Sequence, residues 1–468
     1  MAGRVLNTII SVFTIAALTR YLGVAIFGQY TTIFAYVLTF GVLADFGIMT
    51  ILVREMAKKD EDSSKIVSNI LTWRTIFGLF IYLLAIFIAV FLPYPPNVKW
   101  GIAIISSAMF LLTLNSTLVG IFQAHLRMEK AVLGDLAGRL LILILILAGI
   151  KLNAGLTLLL AAYFAGNLIN LLISLALSRS FIKIRPMLDW TLCRRLIREA
   201  IPMGLVFILS TIYFRIDTVI LSLLKGDIDV GIYGAPYKIF DILVVVPSIF
   251  MGNVFPIITR YLHENDSRLK SAMQRSFNFL SLMAFPVSLG ILFLSGPIIA
   301  LVAGSDFVTT STIEIFKVPI TGILVLQVLS FSVFLFFLTN LFPPLLIAAG
   351  LQRVLIWPNT IAVLVNIVLN LLFIPHYSYL AAAVITFLTE IIILIMDIIL
   401  VKKYLGFLPN LGYWLKILPA AALLAFILFW MRHLNLFLVI ALGGTIYFLM
   451  TNLTGAITKQ TIKEALGR

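Results

Sequence analysis

One cysteine in 468 residues, Cys193, leaves no material for a disulfide framework, an iron–sulfur cluster or a cysteine-based zinc site. Charge is scarce as well: 12% of residues are Asp, Glu, Lys or Arg, against about 25% in soluble domains. The histidines His125, His263, His376 and His433 stand far apart, in or beside predicted loops, and none falls in a His-Glu-x-x-His spacing. No Walker-type phosphate loop and no Gly-rich dinucleotide turn is present, which excludes ATP hydrolysis by this chain. No long polar loop with clustered carboxylates exists to house a glycosyltransferase or polymerase site, and no segment resembles an ion-selectivity filter. The expectation is a protein without catalysis, resident metal or organic cofactor.

What the chain has in abundance is apolar sequence. Hydrophobic residues make up 62% and the mean hydropathy is +1.11. A helix needs about 20 apolar residues to cross the hydrocarbon core. Backbone groups in lipid must bond internally, so only helices or a closed barrel span it. Barrel strands alternate apolar and polar residues over about 10 positions. The runs here, such as Leu140–Ile150 and Ile391–Leu400, are continuous and predict helices. Fourteen spans are expected, at about 4–22, 28–52, 71–92, 99–122, 131–150, 154–178, 200–224, 230–258, 276–303, 319–345, 354–374, 378–401, 413–431 and 434–455. Pro93–Pro96, Gly226–Asp227 and Pro375–His376 mark three of the breaks. The first span is followed at once by a second, which argues against a cleaved signal peptide.

The formal charge of +14 follows from topology. Of the 34 Lys and Arg, the even-numbered loops and the C-terminal tail carry 23, whereas the odd-numbered loops carry only Lys99, Lys151, Lys225, Lys317 and Arg432. The positive-inside rule then places both termini in the cytoplasm of a multi-pass cell-membrane protein. A nucleic-acid partner is not needed to explain the charge.

Two stretches repeat. Gly23, Gly28 and Tyr30 after span 1 match Gly226, Gly231 and Tyr233 after span 7 in a Gly-x4-Gly-x-Tyr pattern, where glycine allows a tight turn. Six crossings separate the copies, so the halves are parallel repeats about an axis along the membrane normal. The predicted fold is all-α: fourteen transmembrane helices as two six-helix lobes, 1–195 and 196–404, with an appended pair and tail at 405–468.

Basic residues within spans are Arg4, Arg20, Arg74, Arg139, Arg215 and Lys238, all in the first 240 positions; acidic ones are Asp45, Asp135, Asp217, Asp241, Glu390 and Asp397. A charge at the bilayer centre costs at least about 2.5–3.5 kcal/mol. Some have local explanations: Arg4, Arg20 and Arg74 lie near span ends where they can snorkel. Asp135 with Arg139 and Lys238 with Asp241 have helical pair spacing. Collectively they give any cavity an electropositive half, suited to a phosphate held by guanidinium groups. Arg20, Arg74, Arg139, Arg215 and Lys238 are therefore candidate substrate groups, with Tyr213 and Tyr237 to meet sugar rings. Asp45, Asp217 and Asp241 are candidates for coupling to Na+ or H+. Prolines concentrated in the second half, among them Pro202, Pro236, Pro286 and Pro358, suit helices that bend. Asn366 and Asn370, at i,i+4, read as interhelical bonding groups.

Arg20–Gly23, Phe27–Tyr30, Asp45–Gly47 and Arg54–Glu55, then Ile216–Asp217, Gly231–Tyr233, Phe255–Pro256, Asn370 and Ile374–Pro375, resemble the polysaccharide-biosynthesis flippases of the multidrug/oligosaccharidyl-lipid/polysaccharide exporter superfamily. The resemblance covers about residues 4–400. It implies fourteen helices in two lobes and movement of a polyprenyl-(pyro)phosphate-linked oligosaccharide to the outer leaflet by alternating access. Partners would be that lipid-linked substrate, membrane lipid and glycan-biosynthesis enzymes. Arg20 falls at the position of a cavity-facing first-helix arginine in related peptidoglycan-precursor flippases, and Asp217 at an acidic residue of helix 7. One departure is plain: Tyr377–Ala382 lacks both glycines of the family's Tyr-Gly-x-x-Gly-Ala-Ala run. An exporter of small cationic or amphipathic compounds on the same fold is the alternative, and it predicts an acidic cavity.

Overall fold

Long runs of Leu, Ile, Phe and Val satisfy their backbone groups as helices from end to end, and the interruptions fall where the chain must turn. The structure, a computed structural model, describes residues 2–56, 63–264 and 266–457. Lys58, Lys59, Lys459, Lys463 and Arg468, and the side chain of Arg4, lie outside the described residues.

The helices are α1 (Ala2–Asp45), α2 (Ile48–Met56), α3 (Ser63–Phe91), α4 (Pro96–Ala124), α5 (Met128–Lys151), α6 (Leu156–Ser178), α7 (Trp190–Leu224), α8 (Asp227–Leu243), α9 (Val245–His263), α10 (Arg268–Val302), α11 (Asp306–Thr309), α12 (Gly322–Thr339), α13 (Phe342–Ala348), α14 (Ile356–Leu405), α15 (Trp414–Met431) and α16 (Leu436–Leu453). Between α11 and α12 lies a small hairpin that the all-α expectation did not contain. Its strands β1 (Glu314–Ile315) and β2 (Val318–Pro319) are antiparallel, with Phe316 and Lys317 at positive φ in the turn. Twelve helical segments among the described residues are long and apolar enough to cross a membrane.

Two of those segments are hairpins. In α1, Gly23 has φ 66 and ψ 176, a conformation open to glycine alone. A straight helix would hold Ile10 and Tyr30 about 30 Å apart, yet both line one small pocket. In α14 the reversal comes at Ser378, with φ 47 and ψ −132, and not at Pro375–His376 as expected from the proline. There Asn366 Nδ2 meets Thr389 Oγ1 at 3.5 Å across 23 positions. The turn therefore forms without the family's glycine. Of the two repeated glycines, Gly23 takes positive φ and Gly226 does not.

The second glycine of each repeat has a different job. A Cβ on Gly28 would overlap the Asp227 carbonyl, and one on Gly231 would overlap the Val24 carbonyl. Each copy of the motif thus lies against the backbone of the other, and Gln29 Nε2 donates to Asp227 Oδ2 at 2.8 Å beside them.

The chain forms two compact units, Met1–Gly231 and Ile232–Arg468. In the first, Ile51, Leu52, Ile66, Ile70, Leu118 and Leu196 form a core that also buries Ile182 from the α6–α7 connection. In this unit α7 packs on α1, although the repeat assigns it to the second lobe; the contact units and the repeat divide the chain differently. In the second unit α15 and α16 pack on α10 through Leu282, Leu294, Ala420, Leu424 and Val439. Side-chain caps start three helices: Asp189 accepts from Thr191 and Leu192 amides, Thr321 from Ile323, and Asn435 from Phe437 and Leu438.

Candidate functional site

In the first unit, the hairpin at Gly23 brings the start of α1 beside α5 and α6. Arg139 Nε donates to Asp135 Oδ1 at 3.0 Å and its Nη1 to Ser11 Oγ at 2.6 Å. Asn7 Nδ2 donates to the other oxygen of Asp135, at 2.5 Å. A pocket of about 180 Å³ opens there, lined by Ser11, Thr14, Tyr30, Arg139 and Tyr163 among others. The hydroxyls of Tyr30 and Tyr163 are 2.9 Å apart on its wall. The Arg139 side chain is 41% exposed, and a guanidinium has five N–H donors. Asp135 and Ser11 engage its Nε and Nη1 and leave Nη2 for another acceptor. An arginine expected from its spacing to pair locally does so, and still presents a face to a pocket.

Arg74 is the opposite case and corrects the sequence expectation. Its side chain is fully buried. Nη2 reaches Asp45 Oδ1 at 2.5 Å, and Nη1 donates to Ser116 Oγ at 2.6 Å, Thr117 Oγ1 at 2.9 Å and the Thr113 carbonyl. The guanidinium ties α3 and α4 to the end of α1 and is closed to a ligand; Asp45, its counter-ion, is occupied with it. Tyr213 and Tyr237 are also core residues. Tyr213 stacks on Phe214 at 4.2 Å between ring centres, and Tyr237 packs between Tyr233 and Phe240. Neither presents a ring face as freely as stacking on a sugar would require.

The remaining candidates are distributed over both units. Arg20 is exposed on α1, and Arg215 is half-buried on α7. Asp217 is buried and accepts the amide and hydroxyl of Thr218. On α8, Lys238 and Asp241 form the expected i,i+3 pair at 3.8 Å, each about one-fifth exposed.

A family model described as polysaccharide biosynthesis protein matches residues 1–262, more than half of the chain. The chain belongs to the polysaccharide biosynthesis protein family. A second model, MatE, matches residues 202–372. No curated protein matches the sequence. Among solved structures, the inward closed conformation of the lipid II flippase MurJ superposes with a TM-score of 0.76 at 16% identity, covering 100% of this chain and 99% of that one. An inward-facing multidrug resistance MATE family transporter of the MOP superfamily gives 0.64 at 12% identity, over 85% and 95%. A MOP superfamily transporter from Pyrococcus furiosus, described as having a binding pocket of reversed polarity, gives 0.53 at 14%, over 85% and 94%. These identities establish the fold: a multi-pass membrane protein built like the flippases and transporters of that superfamily.

Two further features stand out in the structure, the first invisible to sequence reasoning and the second named there only residue by residue. One is an apolar groove of about 430 Å³ in the second unit, between α8, α10, α15 and α16, walled by Leu243, Pro286, Ile291, Leu424, Val439 and Gly443 without a single polar lining residue. Helices α8 and α10 build it with the α15–α16 pair from far along the chain, and no motif announces it. The other is a buried polar stretch on α14. Asn370 Nδ2 donates to Asn366 Oδ1 at 2.8 Å, while Asn370 Oδ1, Glu390 Oε2 and both Asp397 oxygens have no hydrogen-bond donor. Glu390 and Asp397 are almost wholly buried. Their signal was present as the i,i+7 spacing of two acids in an apolar helix.

Proposed function

We propose that this protein is a flippase that moves a polyprenyl-(pyro)phosphate-linked oligosaccharide from the cytoplasmic to the outer leaflet by alternating access. The observation that carries the proposal is Arg139: an intramembrane guanidinium, oriented by Asp135 and Ser11, with Nη2 left toward a pocket. A phosphate accepts from such a group strongly in a partly desolvated setting. Arg20 and Arg215 of the same unit are proposed to serve the phosphate as well, and Lys238 of the second unit is a separate proposed substrate group. The prenyl tail is proposed to stay in lipid, and the all-apolar groove against α15 and α16 offers such a chain surroundings no less apolar. Family membership and the fold agree with this assignment.

The finer architecture belongs to the same proposal. Adding the reversals at Gly23 and Ser378 to twelve spanning segments gives fourteen crossings, arranged as parallel repeats with both termini in the cytoplasm. The coupling ion, Na+ or H+, is proposed to act on Asp217, Asp241 and the buried carboxyls of α14, while Asp45 serves Arg74.

The test is flipping of a fluorescent lipid-linked oligosaccharide in proteoliposomes. Arg139→Gln, Arg20→Ala and Arg215→Ala are expected to slow it at least about tenfold with normal folding, in keeping with charge-assisted bonds of about 1.5–3 kcal/mol. Wild-type flipping in all three would overturn the phosphate assignment. The MatE match favours one second reading, export of small cationic or amphipathic compounds. Transport of a cationic dye by a protein that leaves lipid-linked sugar untouched would establish that alternative.

A further inference from the structure

A second groove in the first unit, of about 580 Å³, shares no lining residue with the Arg139 pocket. Helix α7 supplies one wall as a continuous stripe: Trp190, Arg194, Ile197, Arg198 and Ile201, at the i, i+4, i+7, i+8 and i+11 positions of one helix face. Helix α3 supplies Trp73 and Phe77, which stack at 5.3 Å, with Trp190 tilted against Trp73 at 5.8 Å. The floor is formed where α1 gives way to α2. There Phe46 and Gly47 both take positive φ and place Phe46 and Ile48 in the lining.

The charges around this groove are sorted. Glu55, almost completely buried, pairs with Arg54 at 3.2 Å and with Arg195 at 3.8 Å. Glu199 also pairs with Arg54. Asp189 pairs with Lys65 at 2.9 Å, and that bond, followed by the Leu192 amide, holds its carboxyl below the ordinary range. Glu55, Glu199 and Asp189 thus serve other cations. Arg194 and Arg198 are exposed at the groove's edge, and neither has an acidic partner among the described residues.

An apolar cleft with two tryptophans and two arginines one helical turn apart, neither paired with an acid among the described residues, has the polarity of a phospholipid at a membrane interface. Trp favours the headgroup level, and guanidinium groups favour phosphate oxygens. We propose that this groove binds one anionic glycerophospholipid, its phosphate on Arg194 and Arg198 and an acyl chain over Trp73, Phe77 and Ile201. The site is separate from the substrate pocket and does not depend on what the protein transports. A lipid seated there bridges α2, α3 and α7 and stabilises their arrangement.

Native mass spectrometry of the full-length protein released from nanodiscs, titrated with phosphatidylglycerol or phosphatidylcholine, tests this directly. Wild type is expected to retain one phosphatidylglycerol in preference to phosphatidylcholine. Arg194→Gln with Arg198→Gln is expected to weaken that binding about tenfold or more, each basic residue near an anionic surface being worth about 1 kcal/mol. Arg194→Lys with Arg198→Lys keeps most of it. Ile201→Trp fills the cleft and is expected to abolish retention with both arginines intact. Three results would each overturn the proposal: equal retention by the glutamine variant, undiminished retention by Ile201→Trp, or one-for-one displacement of the lipid by polyprenyl phosphate. The second would show diffuse surface attraction; the third would assign the groove to substrate.

Discussion

Arg74 and Arg139 are both arginines in apolar helices, and their surroundings give them opposite work. Arg74 is enclosed by Asp45, Ser116, Thr117 and the Thr113 carbonyl. Truncation to alanine removes a fully buried side chain and strands several oxygens that had adapted to it. Breaking a fully buried ion pair costs about 3–5 kcal/mol. Asp45 is 39% exposed and can recover some hydration, so Arg74→Ala is expected to cost about 2–4 kcal/mol. A thermal melt in detergent checks this, and a variant melting with wild type would refute the structural role. Arg139 is partly open, and losing its i,i+4 bond to Asp135 should cost no more than about 1 kcal/mol. Its replacement should show in flipping and hardly at all in melting. Sequence inspection could not separate the two, because both are charged positions in helices whose other faces are equally apolar.

Helices and their reversals form the next scale. The apolar runs were legible as segments because lipid demands unbroken backbone bonding over about 20 residues. Their edges were not: α3, α7 and α10 begin at Ser63, Trp190 and Arg268, ahead of the expected 71, 200 and 276, and the break between Asp45 and Ile48 falls inside the expected span 28–52. The turns were partly legible. Gly23 was expected to bend the chain and does so at φ 66, whereas Pro375 was expected to break α14 and is accommodated within it. The reversal falls instead on Ser378, a residue with a Cβ at φ 47 and with a buried hydroxyl lacking a partner. A non-glycine residue at positive φ costs roughly 1–2 kcal/mol. Ser378→Gly should therefore raise stability by about that amount, read as a higher melting temperature. Unchanged or lower stability would mean that the unfolded chain's added freedom outweighs the relieved strain. The Gly28 and Gly231 positions were flagged by repetition alone, and the reason emerged only when each was found against the other's backbone.

At the scale of the whole molecule, the loop charges and the reversals at Gly23 and Ser378 make one joint prediction about topology. In a Cys193→Ala background, Arg353→Cys before α14 and Leu408→Cys after it should react with an impermeant maleimide from the same side of the membrane, because α14 reverses at Ser378, and Lys317→Cys in the β-hairpin turn from the other. Labelling of positions 353 and 408 from opposite sides would break the fourteen-crossing proposal. The sequence by itself determined the helical class, the number of apolar runs, the family resemblance and the asymmetric loop charge. Those properties are local or additive, set by hydrophobic length and by residue counts. Only the tertiary structure decided which arginine is enclosed and which faces a pocket, and where apolar grooves open. Those outcomes depend on distant helices meeting, and a helix apolar on every side carries no mark of which side will meet a neighbour.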